Sequence, residues 1–420
     1  MEKFVINGGK SLFGEVKIQS AKNSVLPLIA ASVINDGKTY IENCPKISDV
    51  LVMMKIIEKL GGKAYFEKDD LVIDGRSIDC WILPCDLTRE IRASIFTVGA
   101  LISRFGYAST CAPGGCNIGD RPIDIHIDAL KKLGAIVREN DEIIFDASYG
   151  FGGSVTLRFP SVGATENAIM SAVRGKGVCI IKNAAKEPEI LDLQRYLNAL
   201  GANVEGGGTD TVVVRGVEKK LSCEVRIKPI PDRIEAGTFA LAAVACGGEI
   251  RFLEESLPKY LFLSEIFRNN ACKMYLKNDK IEGVKVTERP KGFGRVIAEP
   301  FPGFPTDLQP QLVAASCFAK GLTVVVEKVF PGRFSFVEQL LKTGADLSVC
   351  DNACIIDGGK ELNPAETYAG DLRGGAALII AALGIEGKSL IGGTRYVDRG
   401  YEKIEEKFRG LGADIRRVEF

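Results

Sequence analysis

The stretch KLGAIVRENDEIIFDA, Lys132 to Ala147, decides the fold. It ends a helical pattern at Leu-Gly-Ala and then alternates apolar and polar side chains. A glycine just past the last periodic residue fits a left-handed helix stop. Alternation with period two fits a half-buried strand. The same stop recurs as KLGG at Gly61, ALGA at Gly201, NNAC near Asn270, KTGA at Gly344 and GLGA at Gly412, about every 70 residues. A second marker keeps the same period: a glycine precedes a β-rich run at Gly37, Gly106, Gly177, Gly248, Gly321 and Gly387. Each unit therefore reads helix, strand, helix, helix–glycine, strands. Six such units in 420 residues predict two pseudo-symmetric domains of three units, roughly 200 residues each.

A domain boundary is expected near 225–235, where IKPIPDRIEAG places two prolines before a helix start. The first strand, KFVINGG, has no partner in its own unit and is expected to pair with the C-terminal half.

Composition narrows the function. Lys and Arg number 54 and Asp and Glu 54, so the formal net charge is zero. A protein that grips nucleic acid draws most of its affinity from a basic face, and no Lys/Arg run provides one. No apolar stretch reaches the roughly 18–20 residues of a membrane span, and MEKFVINGGKSLFGEV has no apolar signal region. Twelve cysteines without a CxxC pair, beside a single histidine, leave a zinc site only scattered thiols. The expectation is a cytoplasmic protein with reduced thiols. Cys179, Cys246, Cys317 and Cys350 lie in apolar runs and are expected to be small core residues.

Some residues ask for chemistry. In CAPGGCNIGDRPIDIHIDALKKLGA, Cys111 to Ala135, Gly114, Gly115 and Gly119 permit close backbone approach to a ligand and present Cys116 on a loop tip. A free thiol has a pKa near 8.5, so Cys116 can serve as an acid or, with cations nearby, as a nucleophile. Arg121 and His126 are candidates to tune it; a plain loop cysteine and a histidine bonded to a backbone carbonyl are the alternatives. Lys22 and Asn23 precede the apolar helix in SAKNSVLPLIAAS, and Ser161, Val162 and Gly163 open another in SVGATENAIM. Both places suit an anion, although Ser161 also suits a simple cap. Arg92, Arg373 and Arg399 sit among apolar residues, which calls for a carboxylate or an anionic ligand. Asp371 and Asp398 are the carboxylates nearest in sequence to the last two. Asp307 follows the Pro-rich turn of FPGFPTDLQPQ at a helix N-terminus, where a simple N-cap is expected.

Taken together, PGGCNIGDRPIDIH, SAKNS, IRASI, SVGATEN, EPEILD, PDRIEAGTF, PGFPTDLQPQ, GRF, DLRGGAAL and DRGYEKIEEKF resemble the UDP-N-acetylglucosamine 1-carboxyvinyltransferase family, in order and along essentially the whole chain. The resemblance implies an α/β fold, an inside-out α/β barrel of two pseudo-symmetric domains, each of three βαβαββ units. The domains would be 22–229, carrying the Cys116 loop, and 1–21 with 230–420, with the active site in the cleft between them. It implies transfer of the enolpyruvyl group of phosphoenolpyruvate to the 3′-hydroxyl of UDP-N-acetylglucosamine with release of phosphate, an early step of peptidoglycan synthesis.

By the same resemblance, Lys22, Arg121 and Arg399 hold the phosphate and carboxylate of phosphoenolpyruvate. Cys116 protonates its methylene carbon or assists phosphate departure. Asp307 takes the proton of the sugar hydroxyl. Asn23, Arg92, the segment Arg121, Pro122, Ile123, Asp124 and Ile125, and Ser161, Val162 and Gly163 hold the nucleotide sugar. Thr306, Asp307 and Val329 contact the sugar, and Asp49, Arg333, Asp371 and Arg373 surround the cleft. Asp232 supports the substrate or the domain junction. No metal, organic cofactor, nucleic acid, membrane or obligate protein partner is implied, and the Cys116 thiol should be alkylated by the epoxide fosfomycin. The chain departs from the family pattern at Pro331, Gly332, Gly370 and Tyr396, around Arg333 and Arg399. A non-catalytic UDP-N-acetylglucosamine-binding paralogue is the alternative.

Overall fold

The computed structural model describes residues 2–114, 123–253, 257–258, 266–267, 271–278, 280–330 and 332–419. Cys116, Arg121, Pro122, Pro331 and the helix stop near Asn270 lie outside the described residues. The other helix stops are real: Gly61, Gly134, Gly201, Gly344 and Gly412 have φ between +82° and +110°. There a Cβ would be strained, so glycine turns the chain out of the helix. After Gly61, Gly134, Gly201 and Gly344 come antiparallel hairpins: Lys63–Glu67 with Asp70–Asp74, Ile136–Glu139 with Ile143–Asp146, Asn203–Glu205 with Thr211–Arg215, and Leu347–Cys350 with Ala353–Gly358. The strand after Gly412, Asp414–Glu419, pairs instead with the N-terminal Glu2–Gly8. Glu2–Gly8 also pairs with Gly387–Gly392, so the first strand does complete a sheet of the C-terminal half.

The second marker opens one strand in every sheet, an inner one in all but the three-stranded sheet: Lys38–Ile41, Tyr107–Thr110, Val178–Lys182, Gly248–Leu253, Gly321–Glu327 and Gly387–Gly392. On one edge each pairs antiparallel, the first five with a hairpin strand and Gly387–Gly392 with Glu2–Gly8. On the other it meets a parallel partner: Val225–Ile227, a bridge at Ile82, Gly153–Thr156, Leu12–Lys17, Gly294–Ala298 and Glu366–Tyr368, respectively. Parallel pairing demands a crossover connection, and the helices supply it, giving six βαβαββ sheets.

Two compact units result, one of residues 2–19 and 231–419, the other of 20–114 and 123–230. Each has its own hydrophobic core and holds three of the six sheets. In the first unit the helices Arg233–Cys246, Gln309–Ser316 and Leu372–Gly384 pack on one another, and nearly every residue in them is buried. A helix apolar on all sides belongs inside. The sheets keep one face in solvent, as the strand pattern of Leu12–Lys17 shows, so the barrel is inside-out. In the second unit Phe96–Phe105 packs against both Lys22–Ala31 and Val162–Ala172. Gly99 sets that spacing: a Cβ there would lie 2.5 Å from the Asn167 carbonyl oxygen.

The cysteine expectations need correction. Cys85 and Cys111 are joined as a disulfide, with Cα atoms 5.4 Å apart, a normal separation for such a bond. The Ile82–Ser109 bridge brings their segments side by side. The Glu142 carboxylate stands within 4.8 Å of their sulfurs, which as a disulfide are not thiolate ligands. Cys179 and Cys317 are core residues, but Cys246 is half-buried and Cys350 exposed. Cys350 ends a strand whose last three residues all face solvent.

Candidate active site

In the second unit, Lys22 is the first residue of its helix and Asp49 lies in the first turn of Ser48–Lys59. Lys22 Nζ sits 2.7 Å from Asp49 Oδ2, with both side chains nearly buried. The apolar helix therefore delivers an ammonium whose charge is already balanced on one side. Asp192 holds that helix in place. Its Oδ2 accepts from Ser24 Oγ at 2.5 Å and from the Ile230 N–H at 2.8 Å, and the carboxylate is fully buried. Asp192 was assigned no role from sequence, although it closes the EPEILD motif and stands as an acid at an apolar position of the amphipathic ILDLQRYL. Asn23 is the next residue of the same helix and half-buried. Arg92 opens the short 3₁₀ turn Arg92–Ile95 rather than lying inside a helix.

Ser161 caps the helix Val162–Ala172, its Oγ accepting from the Ala164 N–H at 3.4 Å. Val162 and Gly163 supply first-turn N–H groups that have no acceptor within the helix. Asp124 accepts from the Ile125 N–H at 2.9 Å and pairs with Arg158, and Ile123 is the N-cap of Asp124–Lys132. His126 is a core residue: Asn167 Nδ2 lies 2.8 Å from its Nδ1, and Asn167 also bonds the Ile95 carbonyl and the Gly99 N–H. One of its partners is thus a side-chain amide. Glu166 was also missed. It is fully buried, and neither carboxylate oxygen has a hydrogen-bond partner among the described residues. Burial, reinforced by the charges of Glu189 and Glu187, pushes its pKa well above the ordinary 4.5. The loop root beside this site ends at Gly114, whose N–H bonds the Thr88 carbonyl at 3.2 Å.

In the first unit the residues converge on one carboxylate. Asp307 lies in the 3₁₀ turn Thr306–Leu308 and is not an N-cap. Its Oδ1 accepts from Arg333 Nη2 at 2.8 Å and its Oδ2 from Arg373 Nη2 at 3.1 Å. Arg333 Nη1 bonds Thr306 Oγ1 at 2.9 Å, and that hydroxyl donates to Glu327 Oε2 at 2.7 Å. Arg333 and Arg373 are almost completely buried, and Arg333 Nε with Arg373 Nε and Nη1 have no acceptor among the described residues. Buried guanidinium donors need acceptors, which fits a site for an oxygen-rich ligand. Burial opposes the charge of Arg373, but Tyr401, Asp307 and Asp232 more than offset it and hold its proton tighter than usual.

The sequence neighbours are not the partners. Asp371 caps its own helix, accepting from the Arg373 and Gly374 N–H groups at 3.0 and 2.9 Å. Asp398 takes a bidentate bond from Arg417, at 2.8 and 2.6 Å. Arg399 follows it, half-buried. Asp232 caps Arg233–Cys246 through the Ile234 and Glu235 N–H groups. Val329 gives its N–H to Glu327 Oε1 at 2.7 Å. Gly332 has φ +84°, Gly370 has open space around it and Tyr396 lies at the ring contacted by Arg395, so these departures leave the Asp307 cluster intact.

No described helix is long and apolar enough to cross a membrane. A family model described as EPSP synthase (3-phosphoshikimate 1-carboxyvinyltransferase) matches residues 6–408. "UDP-N-acetylglucosamine 1-carboxyvinyltransferase 2" of Caldanaerobacter subterraneus subsp. tengcongensis is 43% identical over 427 residues, covering 100% of both chains. "UDP-N-acetylglucosamine 1-carboxyvinyltransferase" of Halothermothrix orenii is 41% identical, again over 100% of both. Among solved structures, the enolpyruvyl transferase NikO from Streptomyces tendae matches with a TM-score of 0.88 at 25% identity, covering 99% of each chain. With a family model along nearly its whole length and full-length relatives above 40% identity, the chain belongs to the EPSP synthase family of enolpyruvyl transferases, among the UDP-N-acetylglucosamine 1-carboxyvinyltransferases.

Proposed function

We propose that this chain transfers the enolpyruvyl group of phosphoenolpyruvate to the 3′-hydroxyl of UDP-N-acetylglucosamine, releasing phosphate, and so serves peptidoglycan synthesis in the cytoplasm. The Asp307 cluster carries the reading. A carboxylate held by Arg333 and Arg373, beside the Thr306 hydroxyl, is what a hydroxyl acceptor needs: a fixed proton acceptor with hydrogen-bond donors around it.

The route is addition and then elimination. A proton goes to the methylene carbon of phosphoenolpyruvate, and the sugar oxygen bonds to the neighbouring carbon as Asp307 takes its proton, giving a tetrahedral ketal. Loss of a methyl proton and of phosphate restores the double bond. Phosphoenolpyruvate is a multiply charged anion and requires converging cations; Lys22, Arg121 and Arg399 are assigned to it. Cys116 is assigned as the acid. Asn23, Arg92, Ile123, Asp124, Ile125 and the Ser161–Gly163 helix start are assigned to the nucleotide sugar, the helix start to its diphosphate. Lys22 gives up part of its pairing with Asp49 to the incoming phosphate, so Asp49 keeps that ammonium charged and aimed before substrate arrives.

Phosphate release from phosphoenolpyruvate and UDP-N-acetylglucosamine, with Cys116→Ala alongside, tests this. Release by the wild type and its loss in the variant support the assignment. Release only with shikimate 3-phosphate moves the chain to the other acceptor, and tight sugar binding without turnover moves it to a non-catalytic paralogue.

A further inference from the structure

We propose that Glu327 is a positioning residue for the transfer, setting the direction of the hydrogen bonds that hold Arg333 on Asp307. The inference rests on the enolpyruvyl-transfer reading for its kinetic test only. Glu327 ends the strand Gly321–Glu327 and is 1% exposed. Its carboxylate accepts from three donors: the Val329 N–H at 2.7 Å and the Phe330 N–H at 3.1 Å on Oε1, and the Thr306 hydroxyl at 2.7 Å on Oε2.

An ionised carboxylate only accepts. The hydrogen of Thr306 must therefore point at Glu327, and the Thr306 oxygen turns its lone pairs toward Arg333. Arg333 Nη1 then donates to Thr306 while its Nη2 donates to Asp307, so one planar fork spans both groups. Glu327 also grips Arg333 from the main chain, because the Phe330 it anchors gives its carbonyl to the Arg333 N–H at 3.2 Å. The backbone of Glu327 is fixed separately: its N–H bonds the Asn352 carbonyl at 2.7 Å and its carbonyl accepts from Asn352 Nδ2 at 3.1 Å. Changing the side chain thus alters polarity at the site and leaves the strand in place.

Glu327→Gln is the test, because it keeps the shape and removes one acceptor. Its single amide oxygen cannot face both the Val329 and Phe330 N–H groups and the Thr306 hydroxyl. The expected result is a fall in kcat of roughly 10- to 100-fold, with KM for both substrates changed less than about threefold and the thermal midpoint little moved. In a Thr306→Val background the same change should cost clearly less than it does alone, since only the main-chain route through Phe330 remains. Full multiplicative losses in the double variant, or an unchanged kcat, would overturn the proposal. The side-chain nitrogen resonances of Arg333 give a reading independent of turnover: they shift in Glu327→Gln if Glu327 orients the fork. Should the wild type release no phosphate, the transferase reading fails, and unshifted Arg333 resonances still decide against Glu327 on their own.

Discussion

Removing Arg373 and removing Asp307 should have unequal consequences for stability, although the two form one ion pair. In Arg373→Met, Asp307 loses its 3.1 Å bond but keeps the 2.8 Å bond from Arg333. A hydrogen bond to a charged group contributes about 1.5–3 kcal/mol. Against that loss stands relief from burying a guanidinium that is 2% exposed, a penalty of several kcal/mol even after relaxation. The two nearly cancel, so stability should change by no more than about 1–2 kcal/mol. In Asp307→Ala, two buried guanidiniums lose their shared anion. Breaking a buried pair on one side costs about 3–5 kcal/mol, and for a unit of this size that lowers the thermal midpoint by roughly 10 °C. Scanning calorimetry on both variants measures the difference directly. Phosphate release by Arg373→Met should still fall by about 10²–10³, the usual loss when a donor at a developing charge is removed. Equal midpoints for the two variants, or a larger drop for Arg373→Met, would refute the charge accounting.

Three further outcomes follow from particular contacts. Glu166 carries a pKa raised by burial, so between about 4.5 and that raised value the folded chain holds a proton the unfolded chain has released. Stability from this group is complete below the unfolded pKa and declines as pH rises; Glu166→Gln should flatten that decline, and parallel urea-midpoint profiles for variant and wild type from pH 5 to 8 would contradict it. Gly99→Ala forces a Cβ toward the Asn167 carbonyl oxygen and should cost about 1–3 kcal/mol by overpacking, read as a lower urea midpoint. Fosfomycin should inactivate the protein by alkylating Cys116, and Cys116→Asp should resist it; equal sensitivity of the two would remove Cys116 as the target thiol.

The repeat was legible because its markers are backbone requirements. A helix stop at φ +110°, as at Gly134, accepts little besides glycine, so the sequence repeats the residue wherever the geometry repeats. The N-terminal strand was legible for the complementary reason: its own unit offered it no partner. The cysteines were read less well. Apolar neighbours do not tell whether a strand end stays in the core, and Cys350 lies at the end of a strand whose last three residues are all exposed. The Cys85–Cys111 bond joins residues 26 apart in sequence, and nothing in the intervening pattern indicates that separation in space.

Ion-pair partners were the part that sequence proximity misassigned, and the reason is general. At the start of a helix an aspartate is drawn to the exposed N–H groups of its own first turn. Asp371 and Asp232 both obey this, each accepting from two main-chain N–H groups. Arg373, two residues after Asp371, is therefore left to seek an anion elsewhere, and it finds Asp307, 66 residues away. Asp307 is available because it stands in a 3₁₀ turn ahead of its helix, where capping does not claim its side chain. Glu327 follows the pattern, a buried acid whose donors are two main-chain N–H groups and a hydroxyl, whereas Asp192 adds Arg195 to one main-chain N–H and one hydroxyl. Acids that cap their own helix, such as Asp371 and Asp232, are fixed by local geometry, and Asp307, released from that duty, takes both Arg333 and Arg373.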